Sequence, residues 1–290
     1  MQGEETASEA DEIAAVQAQA TKAGLGRFSV DRKDHFVCLG DAPDLFRTTA
    51  LAICESLCIA FLPHFRERGF KLAMPAQRLT VVTLKDQESY RAFLGGDSEK
   101  AVKGHYDLDT NRLVMFDFRP ARAESDLQTD LERINLFALV HETTHLLCFN
   151  TGLLSRQSDV PDWVSEGLGT YVELWQKNKK PTTPIGTVNR PRLLVLRATR
   201  SWIPIPDLVA GDETFWDEKT EQISYAESWL MVHYVMNTEA QRPKFRSYLA
   251  ELPPQGKGTA ANRVAHAEKH LGSLKKLDRE LADRYKRLAR

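Results

Sequence analysis

The sequence has little of what marks a nucleic-acid-binding or a disulfide-rich protein. Its 39 Lys and Arg residues are balanced by 40 Asp and Glu residues, so the formal net charge is −1. The charges are interspersed and form no basic stripe, which argues against a nucleic acid as partner. There are four cysteines and no Cys-x-x-Cys pair, so a structural zinc cluster is not expected. Cys54 and Cys58 are predicted to act as small buried hydrophobes on one helix.

Long apolar runs are also missing. No uninterrupted apolar run reaches the roughly 18–20 residues that span a bilayer, so no transmembrane segment is expected. The N-terminus is acidic and rich in Ala and Gln, without the charged and then apolar pattern of a signal peptide. We therefore expect a cytoplasmic protein, or a secreted or periplasmic one whose export signal is absent from this chain.

The sequence does contain enough apolar residues for a sizeable core, since 42% of its 290 residues are hydrophobic. Segments typical of strands and helices alternate in the first half, and only helical patterns follow. This order predicts an α+β fold, with a mixed α/β lobe followed by an α-helical lobe. The expected organisation is a flexible N-terminal tail at 1–25, with a marginal helix as the alternative, an α+β lobe at 26–150 and a helical lobe at 151–290.

Several segments have patterns specific enough to assign to individual elements. Enrichment in β-branched and apolar residues predicts strands at 35–40 and 78–84, and turn residues within 104–118 predict a hairpin there. Apolar residues at helical spacing predict helices at 42–70, 126–149, 160–176 and 223–237.

The segment FALVHETTHLLCFN, at 137–150, places two histidines and a glutamate in an apolar run. Buried polar groups cost free energy unless something satisfies them. On a helix His141 and His145 share a face, so both imidazoles can reach one ion at about 2.0–2.1 Å. Glu142 lies about 100° around the helix and can face a water on that ion. The pattern therefore predicts a zinc site with Glu142 as general base.

A catalytic zinc site needs a third protein ligand. Glu166, in the segment DWVSEGLGTYVE, follows His145 by 21 residues, which is enough for a loop and a return. Gly167 and Gly169 beside it permit the close helix approach that a shared metal requires. Glu166 is therefore the predicted third ligand. The alternative is a lone glutamate near a helix N-terminus, where the helix dipole favours a negative charge.

Two further groups of polar residues have more than one interpretation. Glu173 lies two turns beyond Glu166 on the same face and could accept a hydrogen bond from a ligand histidine. An ordinary solvated Glu173 is the alternative, and Thr170 is a weaker candidate for the same role. The pair His266 and His270, in HAEKH, sits among charged residues and is predicted to lie on a plain surface helix face.

The segments HETTH and WVSEGLGTYVE together resemble the gluzincin metallopeptidases, which combine His-Glu-x-x-His with a downstream glutamate. The span from about 35 to 240 also resembles uncharacterised bacterial peptidase-MA-like domains, through GHYDLDTNRLVMFD before the zinc helix and YAESWLMVHYV after the third ligand. The resemblance implies a thermolysin-like zincin fold with a cleft between its lobes. It also implies that a strand of the hairpin forms an edge along that cleft, to which an extended peptide can add.

The resemblance further suggests a role for Tyr225. Aminopeptidase-type gluzincins carry a tyrosine in a YEKG-like segment, and its hydroxyl stabilises the oxyanion. This chain has YAES, so the tyrosine matches and the lysine and glycine do not. A buried aromatic beside Trp229 is the alternative, and His233 and His105 are the other candidate donors. No GxMEN-type exopeptidase signature is found, which favours endopeptidase over aminopeptidase action.

These residues predict a zinc-dependent peptidase acting on a peptide or protein substrate. One zinc ion per chain would be held by His141, His145 and Glu166, with Glu142 and Tyr225 as catalytic residues. Three alternatives stay open: a zinc hydrolase of a non-peptide amide or ester, a non-catalytic binding module with the gluzincin fold, and a structural zinc site. The sequence does not determine the oligomeric state or the natural substrate.

Overall fold

The structure, a computed structural model, describes residues 8–96, 104–119, 125–176, 182–256 and 258–290. At 125–134 it describes the main chain only. The architecture is mixed α+β, with one five-stranded sheet and twelve helices among the described residues. The predicted α+β class is thereby confirmed, and the strands all precede residue 117 as the order of patterns indicated.

A single sheet contains both parallel and antiparallel strands. Its strands are β1 Ser29–Arg32, β2 Phe36–Gly40, β3 Leu79–Leu84, β4 Gly104–Asp107 and β5 Arg112–Phe116. They lie in the order β1-β2-β3-β5-β4, with β2, β3 and β5 parallel and the two outer strands antiparallel to their neighbours. All residues of β2, β3 and β5 are buried, as expected of parallel strands covered on both faces.

Helices account for most of the remaining described residues. They are α1 Glu9–Lys22, α2 Asp44–Arg66, α3 Gln87–Phe93, α4 Ser125–Asn150, α5 Asp162–Val172, α6 Arg190–Ala198, α7 Ile205–Ala210, α8 Glu213–Trp216, α9 Glu221–Asn237, α10 Arg242–Ala250, α11 Ala260–Leu271 and α12 Leu274–Leu288. The four helices predicted from apolar spacing correspond to α2, α4, α5 and α9. Apolar periodicity was therefore a sound guide for the longest helices.

The chain divides into two compact units. The first, Met1–Ile59 with Met74–Leu146, contains the sheet, α1 and α3, whereas the second, Ala60–Ala73 with Leu147–Arg290, is built from helices. The continuous helices α2 and α4 contribute residues to both. The predicted first lobe, 26–150, included residues 60–73, which belong to the second unit. A continuous helical pattern does not indicate a boundary between two units. Within the second unit, the N–H of Ala73 donates to the carbonyl oxygen of Thr151 at 3.0 Å.

The helix α1 occupies most of the segment predicted as a flexible tail at 1–25. Val16 and Ala20 on this helix are fully buried in a cluster with apolar residues of the sheet. Arg112 donates to the carboxylate of Glu12 from Nε at 2.7 Å and from Nη2 at 2.9 Å. Of the two alternatives for this segment, a helix rather than a tail is therefore found for α1, which an apolar stripe and ion pairs of Glu9 and Glu12 hold in place. The first seven residues lie outside the described part of the chain.

The hairpin predicted at 104–118 is formed by β4 and β5 and places β4 at an edge of the sheet. The carboxylate of Asp107 accepts hydrogen bonds from the N–H groups of Asp109 at 2.9 Å and Thr110 at 3.2 Å, which closes the turn. Asn111 has φ +58°, a conformation that asparagine tolerates better than most residues. Among the described residues, β4 thus pairs with a strand on one side only.

A glycine lets α5 and α9 pack closely. A Cβ atom at Gly167 would lie 2.6 Å from Cγ2 of Val232 and 2.9 Å from the carbonyl oxygen of Ser228. Trp163 and Trp229, one on each helix, are fully buried. Gly167 therefore permits α5 to pack closely on α9, whereas the close approach to the HETTH helix expected from Gly167 and Gly169 stays a prediction.

The helix α2 is long and apolar enough to cross a membrane by length and composition alone. The sequence prediction considered uninterrupted apolar residues, and Arg47 and Glu55 interrupt this run. Half of the apolar stretch is buried within the protein, and the core helix of a soluble protein passes the same test. This one helix is weak evidence for a membrane span, so the described residues provide no clear transmembrane segment.

Candidate metal centre

The helix α4 presents both histidines of HETTH on one face. The ring centroids of His141 and His145 are 4.7 Å apart, as the i, i+4 spacing requires. Thr143 and Thr144 between them are fully buried. The Thr144 hydroxyl donates to the carbonyl oxygen four residues back at 2.7 Å, and the Thr143 hydroxyl lies 3.2 Å from Sγ of Cys54. Both threonines thus have contacts of their own within the protein interior.

The helix α5 holds Glu166 one turn from its N-terminus. Pro161 caps this helix without a side-chain hydrogen bond, and the N–H of Asp162 donates to the carboxylate of Asp212 at 2.9 Å. Trp163 is fully buried and anchors the first turn. Glu166 itself is only half-buried, so its carboxylate sits on the accessible side of a fixed helix.

The three predicted ligands form one cluster. A ligand atom from each of His141, His145 and Glu166 lies within 4.8 Å of the others. Two imidazole nitrogens and a carboxylate oxygen are a donor set that zinc commonly uses. Two donors at about 2.0–2.1 Å from one ion are at most about 4.2 Å apart. Small side-chain movements are therefore enough for the cluster to fit a metal ion, and zinc as the occupant is taken up as a proposal below.

Glu142 is fixed by the edge strand. Its Oε2 atom accepts a hydrogen bond from the main-chain N–H of Tyr106, in β4, at 2.8 Å. The Tyr106 hydroxyl donates to Oδ1 of Asn111 at 2.7 Å, which holds this residue against the hairpin turn. The carboxylate predicted to be the general base therefore contacts the strand main chain, while its neighbour His141 belongs to the ligand cluster.

His105, one candidate oxyanion donor, is engaged with a tyrosine. Its Nδ1 atom lies 2.6 Å from the hydroxyl oxygen of Tyr90. Burial lowers the pKa of His105, and the nearby negative charges of Glu142 and Asp107 partly offset this effect. Burial also raises the pKa of Tyr90, and the charge of Glu142 adds to the rise. A neutral imidazole hydrogen-bonded to a neutral phenol follows at neutral pH.

Tyr225, on α9, lies between an aromatic ring and a cation. Its ring centroid is 5.7 Å from that of Phe215 and 5.2 Å from the guanidinium carbon of Arg192. Tyr225 is half-buried, whereas its neighbour Trp229 is fully buried. The two aromatic residues therefore have different environments, although the sequence alternative placed them on one buried stripe.

Glu173 is held by two donors and is not an ordinary solvated side chain. Its Oε1 atom accepts from Nδ2 of Asn189 at 2.5 Å and from Nε of Arg192 at 3.1 Å, and the side chain is 11% exposed. The hydroxyl of Thr170 donates within its own helix, to the carbonyl oxygen of Glu166 at 2.7 Å. A hydrogen bond from a ligand histidine to Glu173 stays a prediction.

His233, the other candidate donor, lies in a buried aromatic setting. Its ring centroid is 5.2 Å from that of Trp229 and 6.4 Å from that of Tyr171. Burial lowers its pKa to about 4, with the positive charge of Arg284 contributing. It is therefore neutral at pH 7, and its surroundings are those of a core histidine.

The second histidine pair is packed and does not form a plain surface face. Nε2 of His266 lies 3.1 Å from the carbonyl oxygen of Tyr248, and Nδ1 of His270 lies 3.0 Å from the hydroxyl of Ser247. Both imidazoles thus face α10, and the prediction of a solvated face is wrong. Charged neighbours in sequence did not reveal which side of this amphipathic helix packs.

Two groups that contact the predicted site residues, the N–H of Tyr106 and the guanidinium of Arg192, were not indicated by any sequence motif. The N–H of Tyr106 is a main-chain group, so no residue type signals it. Arg192 belongs to the segment VNRPRLL, in which an asparagine N-cap and an early proline are typical of a helix start. That signal could have located α6, but it does not indicate which residues the arginine contacts.

Comparison with known protein families gives a match over part of the chain. The sequence profile of an uncharacterised family, described as "Protein of unknown function (DUF1570)", matches residues 135–254. This range includes HETTH, Glu166 and Tyr225. No curated protein matches the chain. The match agrees with the resemblance to an uncharacterised domain family, and it carries no information on peptidase activity.

Proposed function

We propose that the chain is a zinc-dependent peptidase of the gluzincin type, with a zincin fold. The observation that carries the proposal is the cluster in which ligand atoms of His141, His145 and Glu166 lie within 4.8 Å of one another. Chance placement of two imidazoles and a carboxylate in such a group, on residues already singled out by their spacing, would be a rare coincidence. One zinc ion per chain is the expected occupancy.

Zinc in such a donor set acts as a Lewis acid and lowers the pKa of water toward about 7. Glu142 is the group that accepts a proton from the attacking water and delivers it to the leaving amine. The hydrogen bond from the Tyr106 N–H to Oε2 at 2.8 Å orients this carboxylate and leaves Oε1 for the proton transfer. Tyr225 is the proposed donor to the developing oxyanion.

The edge strand supports a peptide as substrate. Among the described residues β4 has a strand neighbour on one side only, and its Tyr106 contacts the proposed base. An extended peptide can add to such an edge through main-chain hydrogen bonds. This arrangement favours a peptide over a small amide or ester, which has no continuous main chain to pair with the strand.

The test combines metal analysis with one substitution. Protein purified without added zinc is analysed for metal and incubated with casein and with a peptide library. We expect one zinc ion per chain and hydrolysis that a chelator abolishes. Glu142→Gln should retain the zinc and lower turnover by roughly 10²–10⁴-fold, as expected when a general base is removed.

The matched control is Glu268→Gln, which changes the glutamate lying between the two histidines of HAEKH and should leave turnover unchanged. Full turnover in Glu142→Gln would refute the assignment of the base. Bound zinc without cleavage of any peptide, but with hydrolysis of small esters or amides, would favour a non-peptide hydrolase. Zinc without any hydrolysis would favour a binding module.

A further inference from the structure

A half-buried arginine, Arg192, connects the helix of the proposed third ligand with the helix of the proposed oxyanion donor. The inference drawn from it rests on the proposed function and on Tyr225 as that donor. α5 and α9 pack closely at Gly167, where a Cβ would meet the carbonyl oxygen of Ser228 at 2.9 Å. Gly167 directly follows Glu166, and Tyr225 precedes Ser228 by three residues, about one helical turn. Tyr225 thus lies within a turn of the α5–α9 contact beside Glu166.

Arg192 forms a bidentate ion pair with Glu173, the C-cap residue of α5. Its Nε and Nη2 atoms donate to the two carboxylate oxygens of Glu173, both at 3.1 Å. The arginine and glutamate side chains are 17% and 11% exposed. Asn189 supports both partners, since its Nδ2 donates to Glu173 at 2.5 Å and its Oδ1 accepts from the N–H of Arg192 at 3.2 Å. The guanidinium is therefore fixed in position and orientation.

The same guanidinium holds α9. Nη1 of Arg192 donates to Oε1 of Gln222 at 3.3 Å, and its guanidinium carbon is 5.2 Å from the ring centroid of Tyr225. Phe215 contacts the tyrosine ring edge-on, at 5.7 Å between centroids. A ring packed in this way has little freedom to rotate, so its hydroxyl is confined to a small region.

We propose that Arg192 is a positioning residue, which fixes the Tyr225 hydroxyl for donation to the oxyanion while its pair with Glu173 ties that geometry to α5. An oxyanion donor is effective only when it is held in place before the reaction. Only arginine has the planar group that pairs with a carboxylate and stacks on a ring at once. A lysine keeps the charge and loses this double contact.

The experiment is a double-mutant cycle between Arg192 and Tyr225 on the zinc-containing protein, with a peptide substrate from the library. Tyr225→Phe should lower kcat by roughly 10²–10³-fold. Arg192→Met should lower kcat by about 10–100-fold with little change in KM, because it displaces a donor used in the transition state. In the Tyr225→Phe background, Arg192→Met should change kcat by less than about twofold.

Two further variants provide an intermediate substitution and a matched control. Arg192→Lys should give a kcat between wild type and Arg192→Met, and it carries the same cycle if Arg192→Met does not fold. Arg197→Met, which changes an exposed arginine on the same helix, is the matched control and should leave kcat within about twofold of wild type. In protein labelled with 3-fluorotyrosine, the ¹⁹F resonance that Tyr225→Phe removes should shift in Arg192→Met and stay in place in Arg197→Met.

Equal losses from Arg192→Met with and without the tyrosine hydroxyl would overturn the inference, as would unchanged kcat in Tyr225→Phe or an unmoved ¹⁹F resonance in Arg192→Met. All three results leave the wild type active, so the proposed zinc peptidase stands. Unchanged kcat in Tyr225→Phe would in addition remove Tyr225 as its oxyanion donor. A wild-type protein that cleaves no peptide refutes the proposed function, and the inference with it.

Discussion

Glu227 is a buried glutamate of α9. It is 1% exposed, and Oε1 accepts a hydrogen bond from the N–H of Ile203 at 2.9 Å. Oε2 is buried without a hydrogen-bond partner among the described residues. Burial raises the pKa of this carboxyl to about 8; the hydrogen bond opposes the rise and the charge of Asp278 adds to it. The carboxyl is therefore mainly protonated at pH 7.

This protonation makes stability depend on pH. Because the folded-state pKa lies above the ordinary value of 4.5, the unfolded chain loses this proton at lower pH than the folded protein. The free energy of unfolding should therefore fall as pH rises from about 4.5 to 8, by up to about 1.4 kcal/mol per pH unit from this group. Glu227→Gln, which is neutral throughout, should remove that part of the slope in urea unfolding measured at several pH values.

The control for this prediction is Glu239→Gln, which changes an exposed glutamate and should keep the wild-type slope. A slope in Glu227→Gln equal to that of wild type would show that Glu227 is ionised in the folded protein. Both variants should remain folded at pH 7, because glutamine has nearly the shape of a protonated glutamate.

At the scale of elements, the α5–α9 contact depends on one missing side chain. Gly167→Ala introduces a Cβ 2.6 Å from Val232 Cγ2 and 2.9 Å from the Ser228 carbonyl oxygen, and the second neighbour is main chain. We expect the free energy of unfolding to fall by about 1–3 kcal/mol, the usual cost of overpacking. The helical preference of Ala over Gly, about 1 kcal/mol, offsets part of this loss.

Urea unfolding and zinc affinity, measured together, test this expectation. Zinc affinity should also decrease, because the main chain that must move is adjacent to Glu166. Gly26→Ala is the control, since a Cβ at Gly26 meets nothing within 4 Å. Equal stability of Gly167→Ala and wild type would mean that the two helices separate without cost.

The sequence predicted those elements whose patterns are local. The shared helix face of His141 and His145 could be predicted directly, because the i, i+4 spacing determines which side chains lie on the same face. The β4–β5 hairpin could be read for the same reason, since the turn residues Asp107 to Asn111 are contiguous. By contrast, the docking of α1 was not predicted, because it depends on Arg112, about a hundred residues away. The contacts of Arg192 were not predicted either, because they come from the end of α5 and from α9, which are distant in sequence.

At the scale of the whole molecule, two histidines of the second unit, the half-buried His64 and the buried His233, have lowered pKa values. Burial lowers the pKa of His64 to about 3 and that of His233 to about 4. Positive charges add to this effect, from Arg68 at His64 and from Arg284 at His233. Nε2 of His64 lies 3.1 Å from the hydroxyl of Tyr171, on the helix that carries Glu166. Loss of this packing would therefore affect the helix of the third ligand.

Below about pH 6.5 these two histidines should therefore lower the free energy of unfolding, opposite in sign to the effect of Glu227. The folded-state pKa values lie below the ordinary value of 6.5, so the unfolded chain binds these protons first. As pH falls from about 6.5 to 4, the two groups together should lower the free energy of unfolding by up to about 2.7 kcal/mol per pH unit. His233→Gln should halve this contribution, whereas Arg197→Met should keep it.

Urea unfolding of wild type and both variants, compared between pH 4.5 and 7.5, isolates the contribution of His233 to the pH dependence of stability, because the carboxylates are common to all three proteins. If His233→Gln and wild type lost stability in parallel, His233 would have to be protonated in the folded state, and the packing of α9 against α5 would tolerate a buried positive charge.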